Sequence, residues 1–138
     1  MNLSPERAAR LRRNFRGVSA VVFALTTVQA LLGSSGFFRN SDSINYTTIH
    51  AIVANTLFPL AIILFGLVFL AQFQRRNQMI LWTGLLLIAV ISQIGLGYST
   101  RDDPTLLALH IPSGVAIFGL SLVVMLLSFG LRFDADST

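Results

Sequence analysis

The sequence predicts an all-α integral membrane protein: a four-helix up-down-up-down bundle forming one domain over residues 1–138, preceded by a helix at the membrane interface and built from two similar halves. Three observations predict it. Of the 138 residues, 54% are hydrophobic and only 12% are charged, with a mean hydropathy of +0.71, well outside the range of soluble domains. Four apolar runs, at about 17–38, 48–73, 79–99 and 105–131, are each long enough to cross a bilayer, which takes roughly 20 apolar residues. The polar segments between them are short, which makes consecutive runs antiparallel neighbours.

Ser4, Pro5 and Glu6 open a short helix with Ala8, Leu11, Phe15 and Val18 on one face and Arg7, Arg10, Arg12, Arg13 and Arg16 on the rest. That pattern suits a helix lying in the inner interface and leading into the first span. The first span carries Gln29, and its Ala20 and Ala24 form a small-residue pair suited to close helix approach. Basic residues followed by an apolar run and Gly33-Ser34-Ser35 also resemble a cleavable leader. The run is long enough to span, and it is read as a span.

Arg39 to Thr47 is a polar loop ending in residues suited to capping a helix. The second span holds His50 near its start, then Asn55, then Pro59, which either kinks the helix or is accommodated by its neighbours. Gln74 to Gln78 make a basic turn, and the third span follows with Trp82 near that turn and Gln93 toward its far end. Thr100 to Asp103 form a second polar loop. Asp103 and Pro104 then read as a cap followed by a proline in the first turn, opening a fourth span with His110 about two turns inside.

All ten basic residues are arginine, the net charge is +4 and the pI is about 11.1, yet their placement signals topology and not nucleic-acid binding. Arg7, Arg10, Arg12, Arg13, Arg16, Arg75, Arg76 and Arg132 fall on one side of the spans and only Arg39 and Arg101 on the other. Cytoplasmic loops collect Lys and Arg, so both termini are expected in the cytoplasm, in the plasma membrane of a prokaryote. Cysteine is absent, which removes disulfide exchange, thiolate metal sites and covalent c-type haem attachment.

The halves repeat. Gln29-Ala30-Leu31-Leu32-Gly33 matches Gln93-Ile94-Gly95-Leu96-Gly97, and each segment is followed by a polar loop and a helix with histidine near its outer end. His50 and His110 are the only histidines, and they lie at one depth on helices that should be diagonal in a sequential ring. Neighbouring axes are ~8 to 10 Å apart, so diagonal axes are ~11 to 14 Å apart: too far for a direct imidazole hydrogen bond, suitable for one metal centre. No Cys, Asp or Glu lies inside a span, so a bare divalent ion would lack ligands. A haem brings four nitrogens of its own and needs two axial histidines. His50 and His110 are therefore the candidate metal ligands, with haem b as cofactor near the outer face. Gly33, Gly95, Gly97 and Gly114 lie at the same depth and leave room for a flat ring, Arg39 and Arg101 suit its propionates, and Gln29, Gln93, Asn55 and Thr47 are hydrogen-bonding candidates around it.

These residues resemble one half of the haem A synthase family, whose members pair two four-helix bundles with histidines at the outer ends of the second and fourth helices after Q-x-x-L-G-like segments. The resemblance implies a haem-binding bundle. It also exposes departures: where the family has a glutamate implicated in oxidising the haem methyl group, this chain has Thr47, and the family's outer-loop cysteine pair is missing. No catalytic residue is assigned on this basis. The expected function is a b-type cytochrome-like protein binding one bis-histidine haem for electron transfer or haem handling, with the lipid bilayer as its environment and a redox partner or quinone as electron exchanger. Two alternatives stay open: a half-size haem A synthase-like enzyme acting on haem O as a homodimer, and a cofactor-free membrane scaffold.

Overall fold

The computed structural model describes residues 3–38 and 45–130. Arg39 and Arg132, both counted among the topology signals, lie outside the described residues. Four long helices account for nearly all of the rest: α1 (Pro5–Phe38), α2 (Tyr46–Leu70), α3 (Arg76–Ser99) and α4 (Leu107–Ser128), the last entered through a 3-10 turn at Pro104–Leu106. All four are long and apolar enough to cross a membrane, and together they form the four-helix membrane bundle that the hydropathy predicts. Helix α1 packs on α2 and α4, α3 packs on the same two, and the diagonal pairs make no close backbone approach. The helices therefore stand in a square, in chain order.

A single pattern builds this square. The buried positions are Leu57, Ala61, Leu64 and Val68 on α2, Met79, Thr83, Leu86 and Val90 on α3, and Ile117, Ser121, Val124 and Ser128 on α4. Each set steps by four, three and four residues, the stripe that lets neighbouring helices interlock at shallow crossing angles. On α1 the stripe runs through Ala8, Phe15, Ser19, Val22 and Thr26. Away from it the helices are apolar and open: Leu31, Ile52, Ile88, Leu109 and Val115 are each at least 60% exposed. An apolar surface on this scale is stable in lipid and unstable in water.

The basic N-terminal segment does not form a helix of its own at the interface. It is the first three turns of a continuous 34-residue α1, because its apolar face has something to pack on. Ala8 and Phe15 are buried, and Phe15 meets the Phe73 ring edge-on at a centroid distance of 4.9 Å. Two arginines on this extension reach neighbouring helix ends. Arg16 Nε donates to the Ser128 carbonyl at 2.8 Å, and Arg12 lies 3.5 Å from the Ala71 carbonyl. A cation at a helix C-terminus satisfies carbonyls that have no helical partner and offsets the dipole.

Helix ends follow local chemistry. The Asn45 side chain accepts from the Thr48 N–H at 2.9 Å and starts α2, two residues earlier than the apolar run suggests. Gln72, in the left-handed region at φ 49°, turns the chain after Leu70, so Phe73 leaves the span and packs over Phe15. The Asp103 carboxylate accepts from Thr105 Oγ1 at 2.6 Å and from the Thr105 N–H at 2.9 Å. These bonds, the hydroxyl first, hold its pKa below the usual carboxylate value, so this cap is intact at neutral pH and is lost only as the pH falls through that lowered value. Gly130, at φ 86°, closes α4, which ends at Ser128 and not at Leu131. Pro59 and Pro112 lie inside unbroken α2 and α4.

The expected Ala20 and Ala24 approach is not the one the structure uses. Ala24 is exposed, and the α1–α4 seam closes through hydroxyls, Thr26 with Ser121 at 2.8 Å and Ser19 with Ser128 at 3.1 Å. Removal of the Thr26 and Ser121 hydroxyls singly and together should give a coupling energy of about 0.6 kcal/mol, the usual scale for such bonds in membranes. Phe15→Ala should cost about 3 kcal/mol or more. Reversible unfolding in mixed micelles checks both values.

Candidate functional site

Toward the end of the bundle that holds both histidines, the buried stripe continues with a change of residue type. Counting onward from Thr26 on α1 gives Gln29 and Gly33, and from Val90 on α3 gives Gln93 and Gly97. Counting back from Leu57 on α2 gives Ala54 and His50, and from Ile117 on α4 gives Gly114 and His110. The stripe that elsewhere carries apolar and small hydroxyl side chains thus becomes an amide and a glycine on α1 and α3, and an imidazole with a small residue on α2 and α4.

The two imidazoles meet across the diagonal. Their ring centroids are 6.2 Å apart and their planes are inclined at 65°. Each histidine is held from the preceding helix in the same way: Gln29 Nε2 donates to the His50 carbonyl at 2.7 Å, and Gln93 Nε2 donates to the His110 carbonyl at 2.9 Å. The amide orientations follow from these partners, since a carbonyl oxygen only accepts and the atom facing it must carry hydrogen. The repeat seen in the sequence is therefore a repeat of contacts, with Gln on α1 or α3 clamping the backbone of His on α2 or α4.

The glycines serve the histidines directly. A Cβ at Gly97 would come to 3.0 Å from His110 Cε1, one at Gly33 to 3.4 Å from His50 Cε1, and one at Gly114 to 3.1 Å from Gln93 Nε2. The space they leave is taken by imidazole and amide groups, which is more specific than the room for a flat ring expected from the sequence. A Cβ at Gly95 would meet nothing within 4 Å, so this glycine takes no part. Ser113, which sequence reading passed over, donates from Oγ to Gln93 Oε1 and lies 3.0 Å from the His110 carbonyl. Its only sequence signal was its place three residues after His110, facing a helix that carries glutamine.

Other expected participants are placed elsewhere. Asn55 Nδ2 donates to the Tyr98 hydroxyl at 3.1 Å, across the α2–α3 seam. Arg101 lies with its guanidinium carbon 4.9 Å from the centre of the Tyr98 ring, exposed at the same end of the bundle. Thr47 is exposed in the first turn of α2.

Three buried polar atoms have no hydrogen-bond partner among the described residues: His50 Nδ1, His110 Nδ1 and Gln29 Oε1. Such atoms are costly in a low-dielectric interior, and all three belong to the two histidines and the glutamine that clamps one of them. A ring nitrogen lies about 2 Å from a bound transition metal and the ring centre about 1 Å beyond it, so two opposed imidazoles sharing one metal have centres about 6 Å apart. The observed spacing fits that arrangement. No group of three or more His, Cys, Asp or Glu occurs among the described residues, so a metal held here would have to bring most of its own ligands, as a haem does.

No protein-family model, curated protein or solved structure matches this chain.

Gly97→Ala should press on the His110 ring and cost about 1 to 3 kcal/mol, with a change in the His110 imidazole resonances in detergent NMR spectra. Gly95→Ala should be neutral or stabilising by up to about 1 kcal/mol and leave those resonances in place.

Proposed function

We propose that this membrane bundle is a b-type cytochrome, with His50 and His110 as the two axial ligands of one haem near the outer face, serving electron transfer or haem handling. The observation that carries the reading is the pair of imidazoles across the bundle diagonal, 6.2 Å apart between centroids, on helices with no carboxylate or thiol to complete a bare-metal site. The resemblance to half of the haem A synthase family supports the same assignment, with Gln29, Gln93, Gly33, Gly97 and Gly114 as the groups that seat the ligands. Arg101, at the site's end of α3, and Arg39 supply positive charge suited to propionates.

The role of the chain is to fix ligand geometry. The Gln29 and Gln93 amides anchor the backbone of each histidine, and the glycines let the rings lie close to α1 and α3. A haem held by His50 and His110 would supply one-electron chemistry, which favours electron transfer over reaction with a substrate. Thr47, in the position of the family's glutamate, has no carboxylate to accept a proton, and this favours the cytochrome over the haem-oxidising enzyme. The distribution of arginine sets the orientation: both termini in the cytoplasm, with the site on the opposite side.

Protein purified from cells supplied with haem precursor, or reconstituted with hemin, should give a sharp Soret band and resolved α and β bands on reduction. His50→Ala and His110→Ala should each lose the low-spin spectrum, the double variant should bind no pigment, and Thr47→Ala should keep it. A colourless wild type after reconstitution, or full pigment in the double variant, overturns the assignment. Orientation has its own check in a chain free of cysteine: Asp102→Cys should be labelled by a membrane-impermeant maleimide from outside the cell, and Gln74→Cys only after the membrane is opened.

A further inference from the structure

The two halves differ in what they turn toward the lipid. On the α2–α3 seam the Asn55 amide donates to the Tyr98 hydroxyl at 3.1 Å, and both residues are exposed, Tyr98 at 45%. The repeat supplies the comparison. In the register that pairs Gln29 with Gln93 and His50 with His110, Tyr98 corresponds to Ser34 and Asn55 to Val115. Val115 is 67% exposed, an ordinary lipid-facing side chain, and the Ser34 hydroxyl turns back to the Leu31 carbonyl of its own helix. Of two corresponding pairs of positions, one therefore presents an amide and a phenol outward and the other does not.

The place of this pair makes it costly. Asn55 lies nine residues into α2, about 13 Å along its axis, deeper than the interfacial level at which aromatic residues commonly anchor a span. Polar atoms facing hydrocarbon need partners, and the single bond between the two side chains leaves much of their capacity unused. The phenol oxygen accepts from the amide, so its own proton is free to donate outward, and the amide keeps a second N–H and the Oδ1 lone pairs. No other hydrogen bond to either side chain occurs among the described residues. Arg101 strengthens the donor. Its guanidinium carbon lies 4.9 Å from the centre of the Tyr98 ring, and a cation over the ring face draws charge from the phenol and makes its O–H more acidic.

These groups specify a ligand that lives in the bilayer, is flat enough to lie along a helix seam, and carries oxygen. The free donors call for a carbonyl acceptor, and the one free acceptor, Asn55 Oδ1, suits a hydroxyl. A quinone and its quinol present those two groups in turn. The seam also borders the histidines: Asn55 stands five residues after His50 on α2, and Tyr98 follows Gly97, where a Cβ would come to 3.0 Å from His110 Cε1.

We propose that Asn55 and Tyr98 form a docking site for the headgroup of a membrane quinone, entered sideways from the bilayer. The Tyr98 hydroxyl and the Asn55 N–H donate to a quinone carbonyl, Asn55 Oδ1 accepts from the hydroxyl of the quinol, and Arg101 is a positioning residue behind the Tyr98 ring. The site stands on these side chains alone. It rests on the haem reading only in naming the molecule that exchanges electrons with the histidine site.

The chain has two tyrosines, Tyr46 and Tyr98, so fluorine NMR of haem-free protein labelled with 3-fluorotyrosine in nanodiscs reads the site directly, with Tyr46→Phe assigning the signals. Decylubiquinone should shift the Tyr98 signal saturably and leave Tyr46 in place, and decylbenzene, which enters the bilayer without carbonyls, should shift neither. Asn55→Leu should weaken the apparent affinity about 3- to 10-fold and Arg101→Gln about 2- to 5-fold, with the Tyr46 signal unmoved in both as the sign of an intact bundle. A Tyr98 signal that ignores decylubiquinone, follows decylbenzene equally, or moves instead with the number of protein copies per nanodisc, as a seam between two copies would, overturns the proposal. Unchanged affinity in Asn55→Leu overturns it as well. A saturable Tyr98 shift in a protein that takes up no hemin supports the quinone site and overturns the haem assignment alone, so the two readings fail separately.

Discussion

Two hydrogen bonds, from the Gln29 amide to the His50 carbonyl and from the Gln93 amide to the His110 carbonyl, are the constraint on which the histidine-bearing end of this bundle depends. In lipid there is no water to satisfy a polar group, so each one must be met by another part of the protein. Each of these bonds ties a helix to its successor across a polar loop and fixes the rotation of the histidine-bearing helix. Once both are made, the two imidazoles are directed to the same level of the interior. The glycines on α1 and α3 then set how near the rings come to the helices that hold them.

The rest of the bundle is the ordinary consequence of a stripe of two positions in seven on four helices. Away from the site, apolar side chains and small hydroxyl residues share that stripe, and the α1–α4 seam is closed by paired hydroxyls small enough to let the helices approach. At the cytoplasmic end proposed from the arginines, α1 continues past the other helices, and Arg16 reaches the last turn of α4. One helix therefore does two jobs. Its apolar half crosses the membrane, and its basic half caps a neighbour while burying Phe15 under Phe73.

The site itself was only partly legible. His50 and His110 stood out because they are the only histidines and sit at matching depth in apolar runs. Gln29 and Gln93 stood out through the repeat. What they do was not legible: sequence spacing shows that a glutamine faces the next helix, and it does not show that the amide lands on a backbone carbonyl. Ser113 was missed because serine is common in membrane helices and its meaning depends on a residue twenty positions away. Asn55 was misplaced for a similar reason, since a quarter-turn of helix rotation decides between the interior and the α2–α3 seam, where Tyr98 receives it.

The sequence by itself determined the number of spans, their order and the square that short connections impose. These depend on hydrophobicity summed over some twenty residues and on loop length, quantities that no tertiary contact can reverse. Only the tertiary structure decided where the basic segment goes, which small residues close the seams, and which amide oxygen finds a donor. Those outcomes turn on helix rotation and on single contacts of about 3 Å, and a one-dimensional pattern carries the period of a helix but not its phase against its neighbours.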